Sequence, residues 1–183
     1  MGAGKTSVGK LLARRLGKAF CDCDQEIERA TGVKIPVIFE IEGEGGFRVR
    51  ETRMLAELVS RSETVLATGG GAVLSPENRA LLCGNGVVIY LRAAASELWN
   101  RTRHDKNRPL LKTAEPLARL EQLFRERDPL YRSIADIVVD SGSQSIASLA
   151  HRVEQQLRQH RVAGGDGTPA LRIAGMDSKQ KSC

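Results

Sequence analysis

Gly4-Lys5-Thr6 stands directly ahead of a stretch, residues 7–16, that carries Val8, Leu11, Leu12 and Leu16 at helical spacing. A glycine, a lysine and a hydroxyl residue at the mouth of a helix are the closing residues of the phosphate-binding pattern G-x-x-x-x-G-K-[ST]. In that pattern backbone N–H groups and the positive end of the helix dipole hold phosphate oxygens. The lysine reaches the β and γ phosphates and the hydroxyl binds Mg²⁺. Lys5 and Thr6 are the candidates for those two roles. The pattern's first glycine and the strand that feeds the loop would both precede Met1. The tripeptide alone also suits an exposed turn, and Gly2-Ala3 before it with the clean helix after it favours the phosphate reading.

Three further groups can do chemistry. Asp22 and Asp24 close a strand-like piece, residues 19–23, and two residues apart on a strand their carboxylates point the same way. One can hold a metal-bound water while the other accepts hydrogen bonds from a substrate hydroxyl; either also suits capping a helix over residues 25–30. Gly69-Gly70-Gly71 follows a second strand, residues 64–68, and either lets the backbone approach a ligand closely or forms a loop that needs positive φ. Phe47-Arg48-x-Arg50-Glu51 follows a glycine-rich loop, residues 42–46, where an arginine beside carboxylates either binds an anion or makes a surface ion pair.

The elements that must position these groups alternate between helical and strand-like character, which predicts an α/β domain on a mostly parallel sheet. Residues 86–91 read as a third, fully buried strand and 136–140 as a fourth, and 146–157 as an amphipathic helix. Ligands bind at the carboxyl edge of such sheets, where Asp22, Asp24 and the three glycines would lie. Of 183 residues, 41% are hydrophobic and 27% charged, which fits one ordinary globular domain. The longest apolar run, residues 87–91, is far too short to cross a bilayer.

Lys and Arg exceed Asp and Glu by 28 to 22, a net +6 that suggests an anionic partner. No basic block and no aromatic platform accompany it, so nucleic acid is not the expected partner. The four cysteines show no zinc spacing and read as reduced cytosolic thiols. Residues 104–115 are polar and basic around Pro109, a candidate lid between two helices. Beyond His160 the composition shifts to Gly, Ser, Asp and Lys, so residues 161–183 are expected to be a disordered tail behind a folded unit of residues 1–160.

Taken in order, Gly2-Ala3-Gly4-Lys5-Thr6-Ser7-Val8-Gly9, Asp22-x-Asp24, Ile38-Phe39, Gly46-Phe47-Arg48-x-Arg50-Glu51 and Gly69-Gly70-Gly71-Ala72 resemble the shikimate kinases. Arg108-Pro109-Leu110-Leu111 is similar to that family's lid, and Asp128-Pro129-Leu130-Tyr131-Arg132 followed by Ala135-Asp136 to its last shared stretch. The resemblance implies a three-layer P-loop kinase fold and transfer of the γ-phosphoryl group of ATP to the 3-hydroxyl of shikimate. It implies Mg²⁺ as cofactor and a monomeric cytoplasmic enzyme. By the same resemblance Gly2, Ala3, Gly4, Lys5, Thr6 and Ser7 wrap the ATP phosphates, with Thr6 and Asp22 serving Mg²⁺. Asp24 is the acid that binds substrate hydroxyls and the candidate base. Arg48 and Arg132 grip the shikimate carboxylate, Glu51 orients Arg48, and Gly69, Gly70 and Gly71 line the pocket. Arg108 approaches the phosphates from the lid and Arg101 packs on adenine. Residues 25–52 are the expected substrate-binding segment.

The family pattern places its first strand in the middle of a five-stranded sheet, between the strands at Thr64 and Gly86, and that strand is missing here. A central strand is costly to lose, since its neighbours would expose unpaired backbone and apolar faces. The expectation is therefore that the true chain starts about ten residues earlier. Two other readings are a gluconate-type small-molecule kinase and an inactive nucleotide- or shikimate-binding homologue, the latter because the phosphate loop is incomplete.

Overall fold

Helices and strands alternate along the computed structural model, which describes residues 3–102, 115–142, 144–164 and 170–175. In chain order they are α1 (Lys5–Leu16), β1 (Ala19–Asp22), α2 (Cys23–Thr31), α3 (Ile35–Val59), β2 (Thr64–Ala67), α4 (Pro76–Gly84), β3 (Val87–Arg92), α5 (Ala95–Thr102), α6 (Pro116–Ile134), β4 (Ile137–Asp140), α7 (Ile146–Gly164) and β5 (Leu171–Gly175). The five strands form one sheet in the order β1-β2-β5-β3-β4, with every pair parallel. Every residue of β2 and β5, and all but the last of β3, is buried. Successive side chains of a strand face opposite ways, so both faces of the sheet are covered, as a parallel sheet requires. Helices α1 and α7 pack on each other over the sheet, and α4 and α6 pack together over β3. Among the described residues no helix is long and apolar enough to cross a membrane.

The slot between β2 and β3, expected to be vacant, is filled by β5. Leu171 pairs with both Val65 and Val87, and Ile173 with Ala67 and Ile89. The segment expected to lie in a disordered tail thus contributes the central strand. The physical reason is the cost that made the vacancy improbable: β2 and β3 each present unpaired N–H and C=O groups and apolar side chains, and any short apolar stretch of the same chain that can reach them satisfies both.

One residue of β5 suits that place poorly. Arg172 is fully buried in the sheet interior. Its guanidinium donates to the carbonyls of Val59 at 2.8 Å, Asn85 at 3.2 Å and Leu171 at 3.4 Å, while Nε has no hydrogen-bond partner among the described residues. Desolvation by burial pushes its pKa down, and among the described residues only carbonyl oxygens accept hydrogen bonds from it. Dipoles alone compensate a buried cation incompletely, and an apolar side chain of similar length is often the better occupant. Arg172→Met is therefore expected to raise unfolding stability by about 1–3 kcal/mol in urea titration. A loss of stability would mean that the three carbonyl bonds outweigh the desolvation they offset.

The glycine-rich loop predicted at residues 42–46 is absorbed into α3. Only Gly43 departs from helical geometry, at φ 68° and ψ −176°, so the run bends once and continues. Arg50 donates from Nε and Nη2 to the two oxygens of Glu42 at 2.8 and 2.7 Å across that bend, and this pairing holds the Glu42 carboxyl below its ordinary pKa.

Candidate active site

The phosphate side is built at the start of α1. Gly4 is the N-cap residue at φ 86°, a left-handed conformation that a glycine takes without cost, and its carbonyl accepts the first helical bond from Val8 N–H at 2.8 Å. No acid occupies the first turn. The opening N–H groups and the helix dipole are thus available to an anion. Lys5, the first helical residue, is nearly buried. Its aliphatic stem lies against Gly175 at the end of β5, a position where a Cβ would come within 3.2 Å of Lys5 Cγ and Cδ. Ala3 is buried and Ser7 is exposed, while Gly2 lies outside the described residues.

Thr6 and Asp22, sixteen residues apart, meet: the Thr6 hydroxyl donates to Asp22 Oδ2 at 2.9 Å. A hydroxyl and one carboxylate are hard oxygen donors, and such a pair fits Mg²⁺, which retains several waters and takes phosphate oxygens for the rest of its shell.

The acceptor side gathers around the loop after β2. Asp24 and Glu51 are both buried. A Cβ at Gly69 would stand 2.8 Å from Glu51 Oε1 and 2.9 Å from Asp24 Oδ1, so only glycine lets the backbone approach both carboxylates. Asp22 and Asp24 are not two positions on one strand. The strand ends at Asp22, and Asp24 sits in the first turn of α2. The turn separates their tasks, sending Asp22 to Thr6 and Asp24 to Gly69. Cys23 between them is buried, and burial together with Asp24, Glu51 and Asp22 pushes its thiol pKa well up, so it is no nucleophile.

Arg48 pairs with Glu51 through Nη1 and with Glu44 through Nη2 at 3.2 Å. Spaced one helical turn apart on α3, Arg48 and Glu51 bring one buried acid and one largely buried cation to the same face. An open cleft of ≈ 670 Å³, lined by Arg48, Thr52, Arg53, Leu74 and Glu77 among others, leads to Arg48 from outside.

The second arginine expected here, Arg132, is elsewhere. It is half exposed and its Nε donates to Asp128 at 2.7 Å, in a cluster where Asp128 also accepts from Tyr90 Oη at 3.1 Å and from Arg92 Nε at 3.3 Å. The arginine that reaches the acceptor side is Arg127. It is buried and its Nη1 donates to the Gly70 carbonyl at 3.0 Å. The Tyr131 hydroxyl lies 2.6 Å from the same carbonyl and 2.9 Å from the carbonyl of Gly175, sharing one proton between the two. A signal for Arg127 exists in the sequence: Leu120, Leu123, Arg127, Tyr131 and Ile134 form the buried stripe of α6, and an arginine inside an apolar stripe needs a polar reason to be there. Arg101 donates to the Ser141 hydroxyl at 3.4 Å and to the Ser141 carbonyl at 3.3 Å, at the end of β4. Arg108 and nearly all of the expected lid, residues 104–114, lie outside the described residues.

A lysine at the mouth of a helix, a hydroxyl–carboxylate pair beside it and a buried acid–arginine group opposite are the parts of a small-molecule phosphotransferase. The family model for shikimate kinase matches residues 1–158. The chain belongs to the shikimate kinase family. It is 62% identical to the shikimate kinase of Nitrosospira multiformis over 157 residues, covering 86% of this chain and 80% of that one. To the shikimate kinase of Nitrosococcus oceani it is 56% identical over 161 residues, 88% of this chain and 85% of its relative. Among solved structures, the shikimate kinase of Acinetobacter baumannii in complex with shikimate superposes with a TM-score of 0.84 at 48% identity, over 88% of this chain and 90% of that chain. As a shikimate kinase by family, the chain is an ATP-using phosphotransferase with a P-loop fold.

Proposed function

We propose that the protein transfers the γ-phosphoryl group of ATP to the 3-hydroxyl of shikimate. The observation that carries this reading is the convergence of two differently built halves on the end of β5. Lys5 rests against Gly175, and Tyr131 joins the Gly175 carbonyl to Gly70, beside Arg127 and the Asp24–Glu51 pair. A site with cations for phosphates on one side and a carboxylate–arginine group on the other suits a small polyol acid as acceptor.

In this reading the α1 N-terminus and Lys5 hold the transferring phosphate and neutralise the charge that spreads over it in the transition state. Thr6 and Asp22 would hold Mg²⁺, which supplies further charge neutralisation on the β and γ phosphates when bound. Arg48, kept in place by Glu51, and Arg127, kept in place by the Gly70 carbonyl, orient the substrate carboxylate. Asp24 accepts a hydrogen bond from the attacking hydroxyl and takes its proton as the new P–O bond forms and the bond from the γ phosphorus to the β–γ bridging oxygen breaks, releasing ADP. Gly69, Gly70 and Gly71 line the pocket, residues 25–52 supply most of the acceptor side, and Arg108 meets the phosphates from the lid. Both halves come from one chain, which supports a monomer, and a cytoplasmic location goes with the ATP it uses.

The test is ADP release with ATP and Mg²⁺, measured with shikimate, with gluconate and with no acceptor. Turnover that depends on shikimate alone is expected, and turnover with gluconate in its place would overturn the assignment. Asp24→Asn is expected to lower kcat by about 10²-fold, the lower end of what a positioned base contributes. A kcat near that of the parent protein would leave Asp24 a binding group only.

A further inference from the structure

Gly175 belongs to neither half of the site, yet it touches both. Its Cα faces the stem of Lys5, where a Cβ would stand 3.2 Å from Cγ and Cδ and also 3.1 Å from the Leu91 carbonyl oxygen. Its carbonyl lies 2.9 Å from the Tyr131 hydroxyl, which also reaches Gly70. Two residues earlier, the Ile173 carbonyl accepts from Thr68 N–H at 3.1 Å, at the entry to the glycine loop. The Ile173 side chain packs beneath Gly9 of α1, with its Cδ1 3.4 Å from where a Cβ of Gly9 would be. Besides its pairing with β2 and β3, the carboxyl half of β5 thus touches the phosphate helix and the acceptor loop. The strand that makes them also carries the incompletely compensated Arg172 in its middle.

We propose that Gly175 is a positioning residue for Lys5, and that seating of β5 in the sheet and binding of nucleotide phosphates at the head of α1 stabilise each other. This rests on the reading of Lys5 as the phosphate lysine. Phosphates draw the ammonium toward the loop and fix the stem; the fixed stem covers Gly175 and the end of β5. Linkage makes the effect reciprocal: the factor by which bound nucleotide favours the seated strand is the factor by which the seated strand favours nucleotide. A strand held with little surplus stability is where such coupling is easiest to read.

The experiment is amide hydrogen exchange on the full chain with and without the non-hydrolysable analogue AMP-PNP and Mg²⁺, joined to kinetics of two variants. AMP-PNP is expected to slow exchange by about tenfold both at the start of α1 and at Ile173–Gly175, and clearly less in the edge strand β4. Gly175→Ala is expected to lower kcat per folded molecule by about tenfold, because a displaced Lys5 misplaces the charge it delivers. Ile173→Val, which loosens β5 without touching Lys5, is expected to lower the unfolding midpoint and leave kcat unchanged. Protection at α1 without protection in β5, a parental kcat in Gly175→Ala, or an equal loss of kcat in Ile173→Val would each overturn the proposal. Protection at neither segment would overturn it and the phosphate-loop reading together.

Discussion

Lys5→Met is expected to lower kcat by about 10³-fold, the scale seen when one preorganised charge stabiliser is removed from a transition state. The side chain is nearly buried, its stem lies along Gly175 and it opens α1, which keeps it at the head of the helix. Methionine keeps the stem's length and packing and removes only the charge. Its unfolding midpoint should therefore stay close to that of the parent protein. KM for shikimate should also be little changed, since the acceptor is held by other groups. Steady-state kinetics alongside thermal unfolding checks this, and a kcat within tenfold of the parent would remove Lys5 from the reaction.

The second large effect separates two arginines of one helix. Arg127→Leu is expected to reduce kcat/KM for shikimate by about 10²- to 10³-fold, since truncating one partner of a buried, charge-assisted contact costs roughly 2–5 kcal/mol. Arg127→Lys should recover only part of the loss, because an ammonium cannot hold Gly70 and a carboxylate with the planar fork of a guanidinium. Arg132→Ala should change kcat/KM by less than about twofold, as befits a half-exposed ion pair. Asp128 keeps Tyr90 and Arg92 when Arg132 is gone, so that cluster survives the substitution. KM for ATP is the internal control and should move in neither series. A loss confined to Arg132→Ala would return the carboxylate site to the outer face of α6.

These two residues mark where local reading stops. The helix mouth at Lys5 is legible because its pattern is local: a glycine, a lysine and a hydroxyl residue at the start of an amphipathic helix are recognised from their neighbours in the chain alone. Arg127 and Arg132 lie five residues apart on one helix, and only the packing of that helix decides which faces Gly70. The stripe formed by Leu120, Leu123, Tyr131 and Ile134 contains Arg127, so the choice was written in the periodicity but needs a core to be read against. Strand alternation would set Asp22 and Asp24 side by side, whereas the turn from β1 into α2 sends one to Thr6 and the other to Gly69.

By itself the sequence determined the α/β alternation, the helix mouth at Gly4-Lys5-Thr6, the glycines after β2 and the family the chain belongs to. Those depend on spacing within a few residues, where backbone geometry and side-chain period act directly. The tertiary structure alone decided that Leu171–Gly175 fills the middle of the sheet, that Arg172 is buried there and that Gly175 meets Lys5. A five-residue segment with an arginine at its second position, set among Gly, Ser, Asp and Lys, has no local preference strong enough to announce a central strand. It becomes one because β2 and β3 offer unpaired backbone and apolar faces on both sides, and that demand arises only once distant parts of the chain have come together.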